Sequence, residues 1–377
     1  MTSGIRKDKP ETGFCRKEKR GPDYTRLSTY DYELPRELIA QEPAGRRDES
    51  RLLFVRKSTG EINHHLFRDL PSLLDPSDLL IINETKVTPV SLTGYKPSGG
   101  RVDLLVVDPH TPLDAESGHS PVSRICLVRA SKPLQPGVIV SLIGGPRLTV
   151  EGPVSPGRYR MGFPVIEADF QEFLQSHGRP PLPPYIKRDR GTSEEDRERY
   201  QTVYARIEGS VAAPTAGLHF TSGLLDELHG RGIQTARIIL HVGPGTFTPV
   251  RHEDIRSHRM ESEYYEISEE TAEAINGARS ANRRVIAVGT TSVRALESAA
   301  TGDKRVEAKN GGTDLFVTPG YEFKVVGGLV TNFHLPRSTL LMLVSAFCGI
   351  EVIMGAYHEA IREEYRFYSY GDACLIL

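Results

Sequence analysis

The chain has 377 residues, with 47 Lys and Arg against 49 Asp and Glu, a formal net charge of −2, 25% charged residues and 38% hydrophobic ones. These proportions are those of ordinary globular proteins, and they exclude a collagen-like, fully disordered or strongly polybasic chain; the length points to about two domains. Near-neutral total charge does not exclude nucleic acid as a partner, because phosphate binding depends on the local field.

Cys15, Cys126, Cys348 and Cys374 are scattered, with no C-x-x-C pair and no Cys/His cluster at zinc-ligand spacing. No metal is expected, and a reducing, cytoplasmic location fits best. The longest apolar run, residues 340–350, is about half of the ~20 residues a membrane span requires, and Glu351 interrupts it. It reads as a buried helix, with no membrane partner.

In chain order, residues 1–26 alternate charges without an apolar h-region and hold few large apolar groups, so they read as a disordered basic tail rather than a signal peptide. Residues 30–82 mix short apolar runs with turns: 52–55, the Ser58-Thr59-Gly60 turn, Ile62, and a buried strand over 79–82. From 88 to 163 the texture changes to short β-branched segments (102–107, 125–128, 138–142, 148–150) between Gly, Pro and Ser clusters, which predicts an all-β module. The run Pro180-Pro181-Leu182-Pro183-Pro184 is a stiff return.

Ser193-Glu194-Glu195-Asp196 has the form of a capping box, and Tyr200, Val203, Tyr204 and Ile207 fall at i, i+3, i+4, i+7, a helical core stripe. Helix and strand then alternate. Thr221 caps a helix through Leu228, 233–240 is a strand, Ser268 caps a helix through Asn276, and 285–288 is a buried strand. A helix starts near Ser292, strand-like 315–317, 323–326 and 329–331 follow, then helices from Leu340 and around 357–365. The pattern is an α/β domain (27–87 and 164–377) interrupted by an inserted all-β domain (88–163).

Chemistry in such folds collects where strand ends meet loops. Val288-Gly289-Thr290-Thr291-Ser292-Val293-Arg294 is strand, tight turn and helix start, whose amides, hydroxyls and guanidinium suit a carboxylate or phosphate. It lacks both the G-x-G-x-x-G fingerprint and the Walker A lysine. The small residues of 210–218 lead to His219, a Gly243-Pro244-Gly245 turn follows His241, and Thr331-Asn332-Phe333-His334 precedes a helix capped by Ser338. Small residues permit close backbone approach to a ligand, and a turn histidine can exchange protons near neutral pH. The segment 365–373 sets four aromatics around Arg366 and a Gly-Asp turn.

Together, in this order and wording, Tyr30-Asp31-Tyr32-Glu33-Leu34-Pro35-Arg36, Asn83-Glu84-Thr85-Lys86-Val87, the Pro-rich segment 180–188, and the blocks 210–221, 241–250, 289–298, 313–338 and 365–373 closely resemble the S-adenosylmethionine:tRNA ribosyltransferase-isomerase family of queuosine biosynthesis. The resemblance covers residues 28–377. It implies a main α/β domain with a barrel-like mixed-sheet core and an inserted all-β domain. It also implies an enzyme that transfers and isomerises the ribosyl group of S-adenosylmethionine onto 7-aminomethyl-7-deazaguanine at the tRNA wobble position, releasing adenine and methionine. S-adenosylmethionine is then a co-substrate, no cofactor is permanently bound, and the tRNA anticodon loop is the partner of a monomeric protein.

The course implied for this family begins with loss of a proton beside the sulfonium. Adenine leaves, the tRNA amine attacks the sugar, and an oxyanion displaces methionine as the epoxide closes. Such a site needs a base, a donor for adenine, a carboxylate holder and a group that tolerates a sulfonium. Thr290, Thr291 and Arg294 are expected to hold the carboxylate, with Asn332 and Thr246 as further contacts to S-adenosylmethionine. For base and acid the order is His334, His219, His241, with Glu263, Asp372 and Asp314 in reserve. Tyr368 and Tyr370 suit a sulfonium through cation–π contact. Glu261 stands where many family members place a histidine. The basic clusters Arg46-Arg47-Arg51, Lys187-Arg188-Arg190 and Arg279-Arg283-Arg284 are candidates for tRNA phosphates. A methyltransferase, which releases S-adenosylhomocysteine, and a non-catalytic RNA-binding module are the rival readings.

Overall fold

Four strands are buried along their whole length: Leu79–Asn83, Val285–Val288, Gly328–Asn332 and Ala373–Ile376. Such continuous burial is what a sheet covered on both faces demands. In the computed structural model, which describes residues 22–107, 122–188, 193–247 and 250–377, they form the centre of a nine-stranded mixed sheet. Its order is Lys309–Thr313, Glu263–Ile267, Gln234–Leu240, Leu79–Asn83, Val285–Val288, Gly328–Asn332, Ala373–Ile376, Arg51–Arg56, Glu61–Leu66. The stretch from Gln234–Leu240 to Gly328–Asn332 is parallel throughout. Ala373–Ile376 runs antiparallel to Gly328–Asn332 and parallel to Arg51–Arg56.

Side chains alternate across this sheet. Leu79 and Ile81 join one core with Ala287, Leu329 and the helices Glu269–Ser280, Thr290–Ala299, Thr339–Cys348 and Ile350–Arg362. Leu80 and Ile82 face the other, with Ile286, Val330 and the helix Ser222–Gly230 through Leu224 and Leu228. The last two helices of the first group bend by 115° at Gly349, whose φ is +88°; no single described helix is long and apolar enough to cross a membrane.

The insertion is a closed six-stranded barrel: Ser91–Tyr95, Arg101–Val106, Val122–Ala130, Ile139–Leu142, Arg147–Ser155 and Arg158–Phe163. Among the described strands, closure is confined to this part. Leu92, Val102, Leu104, Val106, Cys126, Val140, Leu148, Val150 and Met161 fill it, and Phe163 packs against Phe170 and Phe173 of the helix Phe170–His177. Sequence texture found four of these strands. Ser91–Tyr95 escaped it because Gly94 occupies a position where a Cβ would lie 2.6 Å from the cross-strand Ser141 O, and Arg158–Phe163 because Arg158, Arg160 and Gly162 interrupt its apolar residues.

Three expectations are corrected. The capping box is real, with Ser193 Oγ accepting from Asp196 N, but the helix it opens ends at Arg199 and Ile207 begins a strand. Tyr200 and Tyr204 are buried without being helical, and Val203 is exposed. Residues 315–317 and 323–326 are not strands, since helix side chains take the groups a ladder would use. Glu297 accepts from Lys324 N, Val325 N and Val326 N (2.8–3.0 Å), and Arg294 Nε donates to Leu315 O. Finally, residues 23–26, assigned by composition to the tail, are ordered: Leu27 N donates to Glu253 O and Ile255 N to Thr25 O. Residues 1–21 lie outside the described residues.

Candidate active site

The C-terminal ends of the parallel strands open onto a cleft. Four separate stretches of chain meet there: Ala212–Ala216, Gly289–Thr291, Thr331–Leu335 and Tyr368–Ser369, with Tyr185 at one side. Each has a local reason to be there. Gly289 takes φ +90° to turn the strand Val285–Val288 into the helix Thr290–Ala299, and having no side chain it leaves the first-turn amides uncapped beside the cleft. Tyr368 is held at φ +74°, an unfavourable conformation for an aromatic residue, by its N–H to Phe333 O and by Gly371 N and Asn332 Nδ2 donating to its carbonyl. Tyr185 leaves the Pro-rich segment with its ring 4.7 Å from that of Tyr368 and its hydroxyl 2.6 Å from Ser369 Oγ.

His334 lines the cleft. Its backbone is fixed by its N–H to Tyr357 Oη (2.9 Å) and by Tyr32 Oη donating to its carbonyl. Its Nε2 is 2.8 Å from Thr331 Oγ1. Burial pushes the imidazole down to about 3, so it is neutral at pH 7. His219 is also buried, stacked on Phe67 and pushed to about 3 by burial with Arg366 and Arg47 nearby. It sits behind the cleft, between Ser50 Oγ (2.7 Å) and Asn332 Nδ2 (3.1 Å). His241 is apart from both, its Nδ1 2.8 Å from Thr85 Oγ1 and its ring on Tyr264; Gly209 is needed there because a Cβ would lie 2.5 Å from the imidazole.

Thr290, Thr291, Asn332 and Tyr368 are brought to the cleft with His334. Arg294 is not. It is buried under the helix, ion-paired with Glu263 and donating to Thr313 O (3.1 Å) and Leu315 O (3.0 Å), so the expected carboxylate contact is corrected to a structural one. Glu263, which also accepts from Gly243 N (2.9 Å), is committed by the same pair and is no reserve base. Asp372 closes the C-terminal turn by accepting from Arg51 N (2.9 Å) and Arg366 N (2.8 Å). Asp314 is exposed. Tyr370 packs edge-on to Tyr200 and reaches Asp196. Thr246 is on the turn Pro244–Phe247, its side chain outside the described residues. Thr215, Thr331, Tyr185 and Ser369 line the cleft without having been singled out; the small residues around Thr215 and the Pro-rich approach to Tyr185 were the available signals.

A family model described as "Queuosine biosynthesis protein" matches residues 27–376. The chain belongs to this family. Curated proteins named S-adenosylmethionine:tRNA ribosyltransferase-isomerase are similar to it. The one from Geobacter sulfurreducens is 50% identical over 350 residues, covering 93% of this chain and 99% of that protein. The one from Symbiobacterium thermophilum is 50% identical over 354 residues, covering 93% and 100%. A crystal structure of S-adenosylmethionine tRNA ribosyltransferase from Thermotoga maritima matches with a TM-score of 0.53 at 35% identity, over 93% of this chain and all of that one. The chain is thus an enzyme of queuosine biosynthesis, with the α/β fold and all-β insertion expected from its sequence; the closed barrel is that insertion, not the main sheet.

Most of the arginines considered for phosphate contact serve this family member's own fold. Arg47 donates to Leu218 O and Glu198 O, and Arg51 donates to Glu363 O with its guanidinium 3.7 Å above the Tyr365 ring. Arg188 pairs with Asp196 and Glu42. Arg284 pairs with Asp78, and Arg279 donates to Lys304 O. Arg190 lies outside the described residues. Arg46 and Lys187 remain exposed. Lys187 is two residues from Tyr185, and Gln41 bridges the Tyr185 carbonyl and the Lys187 amide. Glu261 pairs with Arg158 and so ties the barrel to the main sheet's loops. Among the described residues, no group of three or more His, Cys, Asp or Glu is placed to hold a metal.

Proposed function

We infer that this enzyme transfers and isomerises the ribosyl group of S-adenosylmethionine onto 7-aminomethyl-7-deazaguanine at the tRNA wobble position, giving epoxyqueuosine-tRNA, adenine and methionine. The observation that carries the reading is the convergence of four separated, family-resembling stretches in one cleft. The uncapped amides at Thr290 and Thr291 support a carboxylate holder, favoured by the helix dipole. His334, neutral and lining the cleft, supports the proton-transfer role. Its Nδ1, which bonds to no described residue, takes the proton lost beside the sulfonium, and an imidazolium in so apolar a place readily passes it to the departing adenine. The Tyr368 ring supports the sulfonium contact. Asn332 completes the polar lining, and Thr246 stays a candidate for S-adenosylmethionine.

The same reading divides the chain into a catalytic unit (27–87 and 164–377) and an inserted domain (88–163), with Arg46 and Lys187 receiving tRNA phosphates. The same reading takes the enzyme as a monomer, and the scattered, buried Cys126, Cys348 and Cys374 support the cytoplasm. The test is incubation with S-adenosylmethionine and tRNA carrying the aminomethyl-deazaguanine precursor, read by nucleoside mass spectrometry with analysis of small products. Adenine plus methionine is expected; S-adenosylhomocysteine would indicate methyl transfer instead, and an unchanged nucleoside would leave only RNA binding. His334→Ala is expected to lower kcat by 10²-fold or more.

A further inference from the structure

His219 is buried and adjacent to the cleft, yet the Asn332 side chain stands between it and the cleft. Its Nε2 faces Asn332 Nδ2 at 3.1 Å, and that same amide nitrogen lies 3.2 Å from the Tyr368 carbonyl. A carbonyl only accepts, so the carboxamide must present its N–H groups to Tyr368 and to His219. His219 Nε2 is therefore the lone-pair end, and its proton is on Nδ1, donated to Ser50 Oγ at 2.7 Å. Ser50 passes its own proton to the Arg47 carbonyl at 3.2 Å. On the other side, Asn332 Oδ1 receives the hydroxyl proton of Thr215 at 2.8 Å. Thr215 lines the cleft. Every bond in this chain runs in one direction, from the cleft through Thr215, Asn332, His219 and Ser50 to Arg47, an arrangement in which each bond polarises the next. Its consequence falls on Thr215, whose only proton is committed inward, so that toward the cleft its hydroxyl oxygen can only accept.

We propose that His219 is a positioning residue that fixes Asn332 and thereby makes Thr215 Oγ1 an acceptor for the α-ammonium of the methionine part of S-adenosylmethionine. Thr215 precedes Ala216, whose side chain lies 3.7 Å from where a Cβ on Gly289 would stand, so this acceptor adjoins the uncapped helix start assigned to the carboxylate. An amino-acid zwitterion has an anionic and a cationic end on one carbon. The two sites supply amide donors for one and an oxygen acceptor for the other. The assignment rests on the proposed use of S-adenosylmethionine, and it removes His219 from the acid and base roles considered for it.

Calorimetric titration of the whole protein with S-adenosylmethionine, without tRNA, tests the assignment. Thr215→Val is expected to weaken binding about 10-fold or more, and Thr215→Ser to restore it to within about threefold. His219→Leu, which removes the acceptor toward Asn332, is expected to weaken binding similarly, while His219→Gln retains most of it. The double variant His219→Leu/Thr215→Val should bind no more weakly than Thr215→Val, because the two act through one contact. A deaminated analogue of S-adenosylmethionine should bind wild type and Thr215→Val equally. The proposal is overturned if Thr215→Val binds like wild type, if the two losses add in full, or if the analogue still distinguishes wild type from Thr215→Val. Should wild type show no binding of S-adenosylmethionine at all, the functional reading itself fails, a result distinct from these. Thermal unfolding of each variant, with Thr215→Val as a surface-lined change and His219→Gln as the conservative one, separates lost affinity from lost folding.

Discussion

Two imidazoles buried in neutral form make the stability of this protein depend on pH. His219 and His334 are each held at about 3, against an ordinary value of 6.5. The folded-state value is the lower one, so between about 3 and 6.5 the unfolded chain binds protons that the folded chain refuses. Their stabilising contribution is complete above 6.5 and is lost as pH falls. Linkage puts the loss at about 0.1 kcal/mol per histidine at about pH 7.5 and about 1.4 kcal/mol at about pH 5.5, so acidification between these values removes roughly 2.6 kcal/mol for the pair. Urea unfolding followed by circular dichroism suits a chain with no tryptophan. Wild type should lose that amount on acidification, and His219→Gln/His334→Gln should lose correspondingly less, which separates the two from the remaining histidines. If the double variant loses as much as wild type, these imidazoles are not the neutral buried groups described.

Three further outcomes follow from the packing. Glu263→Gln leaves the Arg294 guanidinium buried without its counter-charge and should cost about 3–5 kcal/mol by denaturant unfolding; a loss under ~1 kcal/mol would mean that water reaches the pair. Glu297→Ala strips three amides of their acceptor and should destabilise by about 3 kcal/mol, with faster amide exchange at Lys324, Val325 and Val326 than at the adjoining strand Gly328–Asn332. Gly217→Ala places a methyl 2.1 Å from Tyr204 Oη and 2.8 Å from Thr202 Cγ2, and overpacking of this kind should lower stability by about 1–3 kcal/mol; an unchanged Tm would show that the Tyr204 ring swings away freely.

The central strands were legible because burial on both faces leaves a continuous apolar signature, as in Val285–Val288, and the caps Thr221, Ser268 and Ser338 were legible because capping is local chemistry. The outer strands Glu263–Ile267 and Lys309–Thr313 carry no such signature, since one is half polar and the other includes Gly311 and Gly312. At the site, Thr290, Thr291, Asn332 and His334 stand at strand ends, where the pattern itself points. Arg294 misled because its position one turn into a helix suits an anion and a buried carboxylate equally. The choice depends on Glu263, a residue of another strand 31 positions away. Thr215 was hidden for the opposite reason: its value comes from a hydrogen-bond chain whose members are 117 and 113 residues apart.

Charge counting misleads at the nucleic-acid surface in the same way. Arg47, Arg51, Arg188, Arg284 and Arg294 are spent on internal carbonyls and carboxylates, so they add to the basic total without adding to the outward field. Two of the candidate residues do face solvent: Lys187, two residues from Tyr185 at the cleft, and Arg46, loosely tied to Asp48 at 3.3 Å with most of its side chain exposed. If these two meet phosphates, Arg46→Glu/Lys187→Glu should weaken tRNA binding and reduce the slope of log affinity against log salt by roughly 1.5, at about 0.7–0.9 per phosphate contact. Affinity for S-adenosylmethionine should stay the same, because neither residue lines the cleft. Arg188→Ala is the informative contrast. It frees the buried Asp196 from its bidentate partner, so it should lower stability while leaving the salt slope unchanged. A salt slope that falls with Arg188→Ala and not with the double variant would place the phosphate track on the wrong residues.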